Sequence, residues 1–267
     1  MTELKSSSKP AFRQILVGEF TPPQLKKYII IKALLIWFFV FLAYLSYPPS
    51  EFSILEATFS YLGSFDPDRN PEGFYFLTIA LIIMGIMFVP LILYRHRRMV
   101  AIEPWSVRMI TILMLIGCLG MALVGIFPDT GADYFQDLAN RKIHNMVSIL
   151  GFGGFGLGVM WESLVMGKDR FAKWPLSFGR GGRRLLEHRK LQGPYITFWI
   201  LAVLAGGFLG GWELVYPIMH AQDPSIGHWP GIGPFSFPLW EWILIVYLFV
   251  FMYWVVLTLP EKPPTKK

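Results

Sequence analysis

Six continuous apolar stretches, each about 20 residues long, constrain this 267-residue chain more than any other feature. At about 1.5 Å per residue, one such stretch folded as a helix crosses a hydrocarbon core of about 30 Å. The stretches do not alternate between apolar and polar residues as barrel strands do, and lipid admits only helices or closed barrels. The sequence therefore predicts an all-α, six-transmembrane-helix bundle, with spans at about 28–47, 73–94, 108–127, 143–166, 195–217 and 239–259.

The composition excludes a soluble globule. Hydrophobic residues make up 54% of the chain and charged residues 16%, which is too little polar surface to coat a soluble protein of this size. Residues 1–27 are a polar tail that forms either a short interfacial helix or a disordered segment, and 260–267 form a second tail. The one cysteine, Cys118, cannot form an intrachain disulfide. No metal or other cofactor is predicted.

The distribution of basic residues predicts the topology. The N-terminal tail, the second and fourth connections and the C-terminal tail carry twenty Lys and Arg residues, against three in the other connections. By the positive-inside rule, both termini are cytoplasmic and the protein lies in the cell membrane as a multi-pass protein. The basic loop 168–190 is expected to contact anionic inner-leaflet headgroups. Because it carries no nucleic-acid motif, no nucleic-acid partner is predicted.

Three local patterns carry further structural predictions. Lys32 lies about one turn inside the first predicted span, so its amine is expected to reach the headgroups. Two pairs of glycines at four-residue spacing, Gly154 with Gly158 and Gly206 with Gly210, predict close helix packing. Apolar residues at helical spacing in 51–62 predict an amphipathic helix in the first outer connection.

Polar residues gather where spans end at the predicted outer face. Asp129 follows the third span, His144 and Asn145 open the fourth, Glu213 closes the fifth and Glu241 opens the sixth. If these residues converge on one funnel, a carboxylate beside an imidazole supplies a general base, a metal site or a site for a cationic headgroup. The alternative is that each is an ordinary helix cap or loop contact.

Four short segments carry a family resemblance: Phe59-Ser60-Tyr61-Leu62-Gly63, Asn70-Pro71-Glu72-Gly73-Phe74, Gly125-Ile126-Phe127-Pro128-Asp129 and His144-Asn145. They resemble an uncharacterised six-span archaeal and bacterial membrane family, catalogued as a domain of unknown function. That family is distantly similar to a eukaryotic six-span group that includes a Golgi factor for GPI-anchor lipid remodelling and autophagy modulators. The resemblance implies a six-helix bundle and work on or near lipids, and it adds Asn70 to the candidate binding residues.

Three functions are compatible with these patterns. The first is a lipid-binding or lipid-handling protein without chemistry, since no nucleophile motif such as Gly-x-Ser-x-Gly is present. The alternative is an intramembrane lipid hydrolase or transferase that uses His144 as a base with Asp129, Glu213 or a metal. A small-solute transporter ranks third, because no ionisable residue is expected at a span centre. The oligomeric state is left open.

Overall fold

The computed structural model describes residues 11–48, 52–100, 104–128, 138–168, 192–223 and 233–259, and within these ranges it is all-helical. Six of its seven α-helices are long and apolar enough to cross a membrane, which confirms the predicted fold class. Two short 3₁₀ helices, Phe59–Gly63 and Gly233–Phe235, lie in connections. The α-helices are α1 (Ala11–Leu16), α2 (Pro22–Leu45), α3 (Phe74–Met99), α4 (Pro104–Ile126), α5 (Leu138–Lys168), α6 (Gln192–Gln222) and α7 (Phe237–Thr258).

Local sequence determines where two of the spans begin. Thr21 precedes α2, its N–H donates to Gln24 Oε1 at 2.9 Å, and Pro22 occupies the first helical position, where no amide hydrogen is needed. Ser236 caps α7 by accepting a hydrogen bond from the Leu239 N–H. Helix α2 thus starts six residues before the predicted apolar span.

Glycines bring α4 and α5 into backbone contact. A Cβ atom on Gly154 would lie 2.5 Å from the backbone nitrogen of Gly117, and one on Gly120 would collide with the backbone of Gly151. Gly158 packs in the same way against the Met114 side chain. The packing predicted for Gly154 and Gly158 is confirmed.

The packing predicted for the second glycine pair is wrong within the described part of the chain. Gly206 and Gly210 of α6 have no atom within 4 Å of the place where a Cβ would stand. Helix α6 is the least enclosed span, since 6% of its most apolar window is buried, against 28–50% in the other five. Gly206 and Gly210 therefore lie on a face of α6 that no other described helix approaches.

The amphipathic helix predicted for 51–62 is also wrong. In the described residues of this connection the chain makes turns and then the short 3₁₀ helix. Side chains from elsewhere take the backbone carbonyls that an α-helix would use: Ser236 bonds Leu55 O, Trp242 Nε1 bonds Ala57 O at 3.0 Å, and Asn70 Nδ2 bonds Leu62 O at 2.7 Å. Tertiary hydrogen bonds therefore override the helical periodicity of the sequence.

The contact between α4 and α5 predicts that Gly154→Ala is destabilising, because the new methyl group meets backbone that cannot move aside. We expect a cost of about 1–3 kcal/mol, seen as a melting temperature lower by several degrees. Cys118 is the only cysteine and is buried, so a thiol-reactive dye reports unfolding directly. Gly153→Ala is the matched control, since Gly153 has open space around it. Equal melting temperatures for the two variants would contradict the close crossing.

Candidate functional site

An elongated cavity of about 560 Å³ lies between α5, α6 and α7, beside the residues around the first 3₁₀ helix. It extends along α6 from Phe198 to Leu209, a rise of about 16 Å at 1.5 Å per residue. Apart from Tyr247, whose hydroxyl donates to the carbonyl oxygen of Pro194, its polar lining residues lie toward one end: Thr58, Ser60, His144, Asn145, Ser148 and Glu241. The other walls are apolar or aromatic: Ile149, Phe152, Phe198, Leu201, Ala202, Ala205, Leu209, Phe237, Trp240, Ile243, Leu244 and Tyr247.

His144 is buried, and its ring is fixed by the end of α4. Its Nδ1 lies 2.8 Å from the carbonyl oxygen of Phe127, which can only accept, so Nδ1 carries a hydrogen. In the neutral imidazole Nε2 is then an acceptor, and it faces the Ser148 hydroxyl at 3.5 Å. The Phe127 carbonyl thus orients an imidazole base toward a serine one helical turn away.

Glu241 opens α7 at the same end of the cavity. Its Oε2 accepts a hydrogen bond from the Phe59 N–H at 3.2 Å, which joins α7 to the first 3₁₀ helix. Glu241, His144 and Ser148 also line a neighbouring void of about 20 Å³, together with Gly125 and Pro128. The Gly125–Pro128 segment therefore closes one side of the polar end.

The structure brings some of the predicted site residues together and separates others. His144, Asn145 and Glu241 line one cavity. Glu213 lies on the exposed face of α6 and does not line it. Asn70 is buried elsewhere, where its Nδ2 donates to Ala43 O at 2.9 Å and to Leu62 O, so it ties the first connection to α2. Asp129 lies outside the described residues.

Ser148, Ser60 and Thr58 are the cavity residues that sequence reasoning missed. The spacing of His144 and Ser148, four residues apart in a helix, was the available signal, because it places both side chains on one face. Among the described residues, no group of three or more His, Cys, Asp or Glu side chains is placed to hold a metal ion.

A second chemical feature lies in the middle of the bundle. Lys32 is fully buried, and its amine packs 2.7 Å from the centre of the Phe88 ring and 5.2 Å from that of Tyr253. Its Nζ has no hydrogen-bond partner among the described residues. The prediction that Lys32 reaches the headgroups is wrong, because α2 begins at Pro22 and places Lys32 near its midpoint. A transporter was ranked third because no ionisable residue was expected at a span centre, and that premise is wrong for the same reason.

Comparison with known protein families identifies a family for this chain. A family model described as protein of unknown function (DUF998) matches residues 30–258, a range that includes nearly all of the six long helices. No curated protein and no solved structure matches the chain.

The buried Lys32 amine predicts an unusual response to mutation. A cation over aromatic rings gains about 2 kcal/mol when desolvated, but burial costs several kcal/mol per ion. We therefore expect Lys32→Met to raise the melting temperature, while Lys27→Met at the exposed start of α2 leaves it unchanged. Unfolding is followed by tryptophan fluorescence and not by a thiol-reactive dye. Lys32 lies near the Cys118 thiol, so its replacement changes the surroundings of the group that the dye would report. A lower melting temperature for Lys32→Met would show that the ring contacts outweigh the burial cost.

Proposed function

Since the chain belongs to the family described as protein of unknown function (DUF998), its site must indicate its role, and we propose that it binds one membrane lipid between α5, α6 and α7. The observation that carries this proposal is the segregation of polar groups to one end of an elongated apolar cavity. A lipid has the same division into a polar head and an apolar chain. The volume of about 560 Å³ lies in the range of ligand sites, about 300–1,000 Å³. The distant similarity of that family to a six-span group with lipid-remodelling members is consistent with the proposal.

The head, not the chain, supplies the preference for one lipid over another. A lipid tail that moves from the bilayer into this cavity exchanges one apolar environment for another, so little free energy is gained from transfer. Burying the polar head is costly unless it finds hydrogen-bond partners. Selectivity therefore rests on the six polar residues at the His144 end.

The charges at that end favour a particular head chemistry. The lining includes the Glu241 carboxylate, the His144 imidazole, the Asn145 amide and three hydroxyl groups, and none of the residues found to line the cavity is Lys or Arg. Hydroxyl and amine groups donate to these acceptors, whereas a net anionic head would bring a second negative charge beside the Glu241 carboxylate. We therefore propose a lipid with a hydroxyl-rich or amine-bearing head.

The cellular setting is part of the same proposal. The charge asymmetry of the connections supports the cell membrane as the location, with both termini cytoplasmic and the His144 end outward. The basic loop 168–190, which lies outside the described residues, is proposed to contact anionic headgroups on the opposite face.

A second candidate function, lipid ester hydrolysis or acyl transfer, is favoured by one contact, that between Ser148 and His144. A serine within reach of an imidazole that a third group orients is the arrangement of an activated nucleophile. Ser148 Oγ would attack the ester carbonyl as its proton passes to His144 Nε2. That proton would then go to the departing alcohol, leaving an acyl-serine. Water or a second alcohol would then attack the acyl-serine and give its proton to His144 Nε2. That proton would return to Ser148 Oγ as the acyl group leaves.

The lipid proposal predicts that filling the apolar part of the cavity expels the lipid. Purified protein is mixed with equal amounts of diacylglycerol, phosphatidylethanolamine and phosphatidylglycerol and is analysed by native mass spectrometry. We expect one bound lipid, with phosphatidylglycerol the weakest. Ala202→Phe should lower the bound fraction about tenfold, equivalent to 1.4 kcal/mol. Val203→Phe is the control, since Val203 does not line the cavity. Absence of lipid on the wild type, or equal binding by both variants, would refute the proposal.

The nucleophile proposal predicts that a fluorophosphonate probe labels Ser148. Ser148→Ala should abolish labelling, Ser60→Ala in the same cavity should preserve it, and His144→Gln should slow it about 100-fold or more, the usual contribution of a general base. The modified residue is identified by peptide mapping. Labelling that is absent, or that persists in Ser148→Ala, would remove this function. Lipid retention by Ser148→Ala in the mass spectrum would leave the binding proposal intact.

A further inference from the structure

A polar groove of about 450 Å³ lies at the opposite end of the bundle from His144 and shares no residue with the lipid cavity. It lies between residues 14–24 and the last turn of α3, where α2 begins at Pro22 and α3 ends at Met99. The ends of two spans place the groove at the membrane surface, and the proposed topology makes this the cytoplasmic one. Its polar lining residues are Gln14, Glu19, Thr21, Gln24, Arg97 and Arg98.

One wall of the groove is fixed by a close backbone approach. Gly18 has a φ of +71°, and a Cβ on it would collide with the Tyr94 nitrogen and lie 2.8 Å from the Pro90 carbonyl oxygen. Glycine therefore lets the chain lie directly on α3 at this point. Phe20 is buried beside it, with its ring 6.0 Å from that of Tyr94. The segment before α2 is thus held on α3, and the groove is pre-formed.

Two guanidinium groups supply the positive charge of the groove. Arg97 Nε donates to Val17 O at 2.7 Å, and its Nη1 lies 3.3 Å from Glu19 Oε1. The Arg98 guanidinium lies over the Tyr94 ring, 4.8 Å from its centre. The Arg97–Glu19 pair is partly exposed, so it is weak and leaves Arg97 able to bind an anion. Exposed cations on the flanking helices add to the positive charge: Arg13, Lys26 and Lys27.

We propose that this groove binds the phosphomonoester head of a membrane lipid of the phosphatidic acid class. A phosphomonoester carries a charge of about −1.5 to −2 and three terminal oxygens, and guanidinium groups bind such oxygens in pairs. Arg97, Arg98 and the NH₂ group of Gln24, whose Oε1 accepts from the Thr21 N–H, supply donors for all three oxygens. A phosphodiester such as phosphatidylglycerol has two terminal oxygens and one charge, so it engages fewer of these donors and binds more weakly.

Helix α1 indicates that the phosphate belongs to a lipid and not to a soluble molecule. Phe12 and Leu16, one turn apart, are 71% and 47% exposed, while Ile15 packs against the core. Apolar side chains on the outer face of an interfacial helix enter the boundary between headgroups and acyl chains. Gln14 of the same helix lines the groove. A phosphate in the groove therefore lies at the depth of the lipid headgroups.

Native mass spectrometry of the full chain, mixed with equal amounts of dioleoyl phosphatidic acid and dioleoyl phosphatidylglycerol, tests the proposal. We expect phosphatidic acid to be the more abundant bound lipid. Arg97→Gln should lower its bound fraction about tenfold, the effect of losing hydrogen bonds to a charged group. Arg13→Gln is the matched control, since it removes the same charge from an exposed residue outside the groove. Equal losses in the two variants would show that only the general positive charge of this surface holds the lipid, and the proposal would be wrong.

Two further variants separate lipid binding from folding. Arg97→Lys keeps the charge but loses the paired donors of the guanidinium, so binding should fall about fivefold or more. Arg98→Gln leaves the hydrogen bond from Arg97 to Val17 in place and should reduce binding as Arg97→Gln does. Melting curves establish that the variants are folded. Wild-type binding by a folded Arg98→Gln protein would refute the groove as the site.

Two controls identify the source of the phosphate and separate the groove from the lipid cavity. Inorganic phosphate in about tenfold excess over the lipid should not displace phosphatidic acid, because it lacks the acyl chains that lie in the membrane. Displacement would assign the groove to a soluble phosphate and overturn the lipid assignment. Ala202→Phe, which fills the cavity, should leave phosphatidic acid bound to the same extent. Its loss in Ala202→Phe would place this lipid in the cavity and refute the groove.

Discussion

The close crossing of α4 and α5 is the contact on which two buried polar regions of the bundle depend. Gly117 and Gly120 meet Gly151 and Gly154 backbone to backbone, so these two spans have one defined register. That register places the Phe127 carbonyl at the end of α4 against His144. It also places Met114 beside the buried ion pair of Arg95 on α3 and Glu162 on α5, near the other end of α5. Helix α5 therefore carries both His144 of the cavity and Glu162 of the buried ion pair, and the helix fixes the distance between them.

Helix α6 is loosely packed along its length, in contrast to the close crossing of α4 and α5. It completes the cavity wall with Leu201, Ala202 and Ala205, yet it buries little of its own surface. It is held toward both ends: Trp199 donates to Ser163 near its N-terminal end, and the buried Trp212 packs against Phe235 nearer its C-terminal end. The width of the cavity therefore depends on contacts toward both ends of α6 and not on close packing along its middle. The hydrogen bond from Trp199 to Ser163 is one of these contacts, so Ser163 helps to position the α6 wall of the cavity.

The sequence predicted the number and type of the spans because continuous apolar length is a strong signal in lipid. It predicted less well which side of each span faces inward. Helix α6 is apolar on all sides, so nothing in its periodicity separated Glu213, which lies away from the cavity, from residues that line it. Lys32 was misplaced because Thr21 and Pro22 start α2 ahead of the apolar run. The first connection failed to form a helix because distant Ser236, Trp242 and Asn70 side chains bind its carbonyls.

Two buried cations show how differently a bundle of this kind can handle charge. Arg95 has a carboxylate at hydrogen-bond distance, whereas Lys32 has aromatic faces and, among the described residues, no polar partner. Aromatic ring faces return only part of the hydration that a buried amine loses, so we expect Lys32 to lower the stability of the fold, whereas Arg95 is paired with Glu162. An ionisable residue near the middle of a membrane span is a candidate functional residue. The proposed lipid site uses the polar residues at the His144 end and does not involve Lys32.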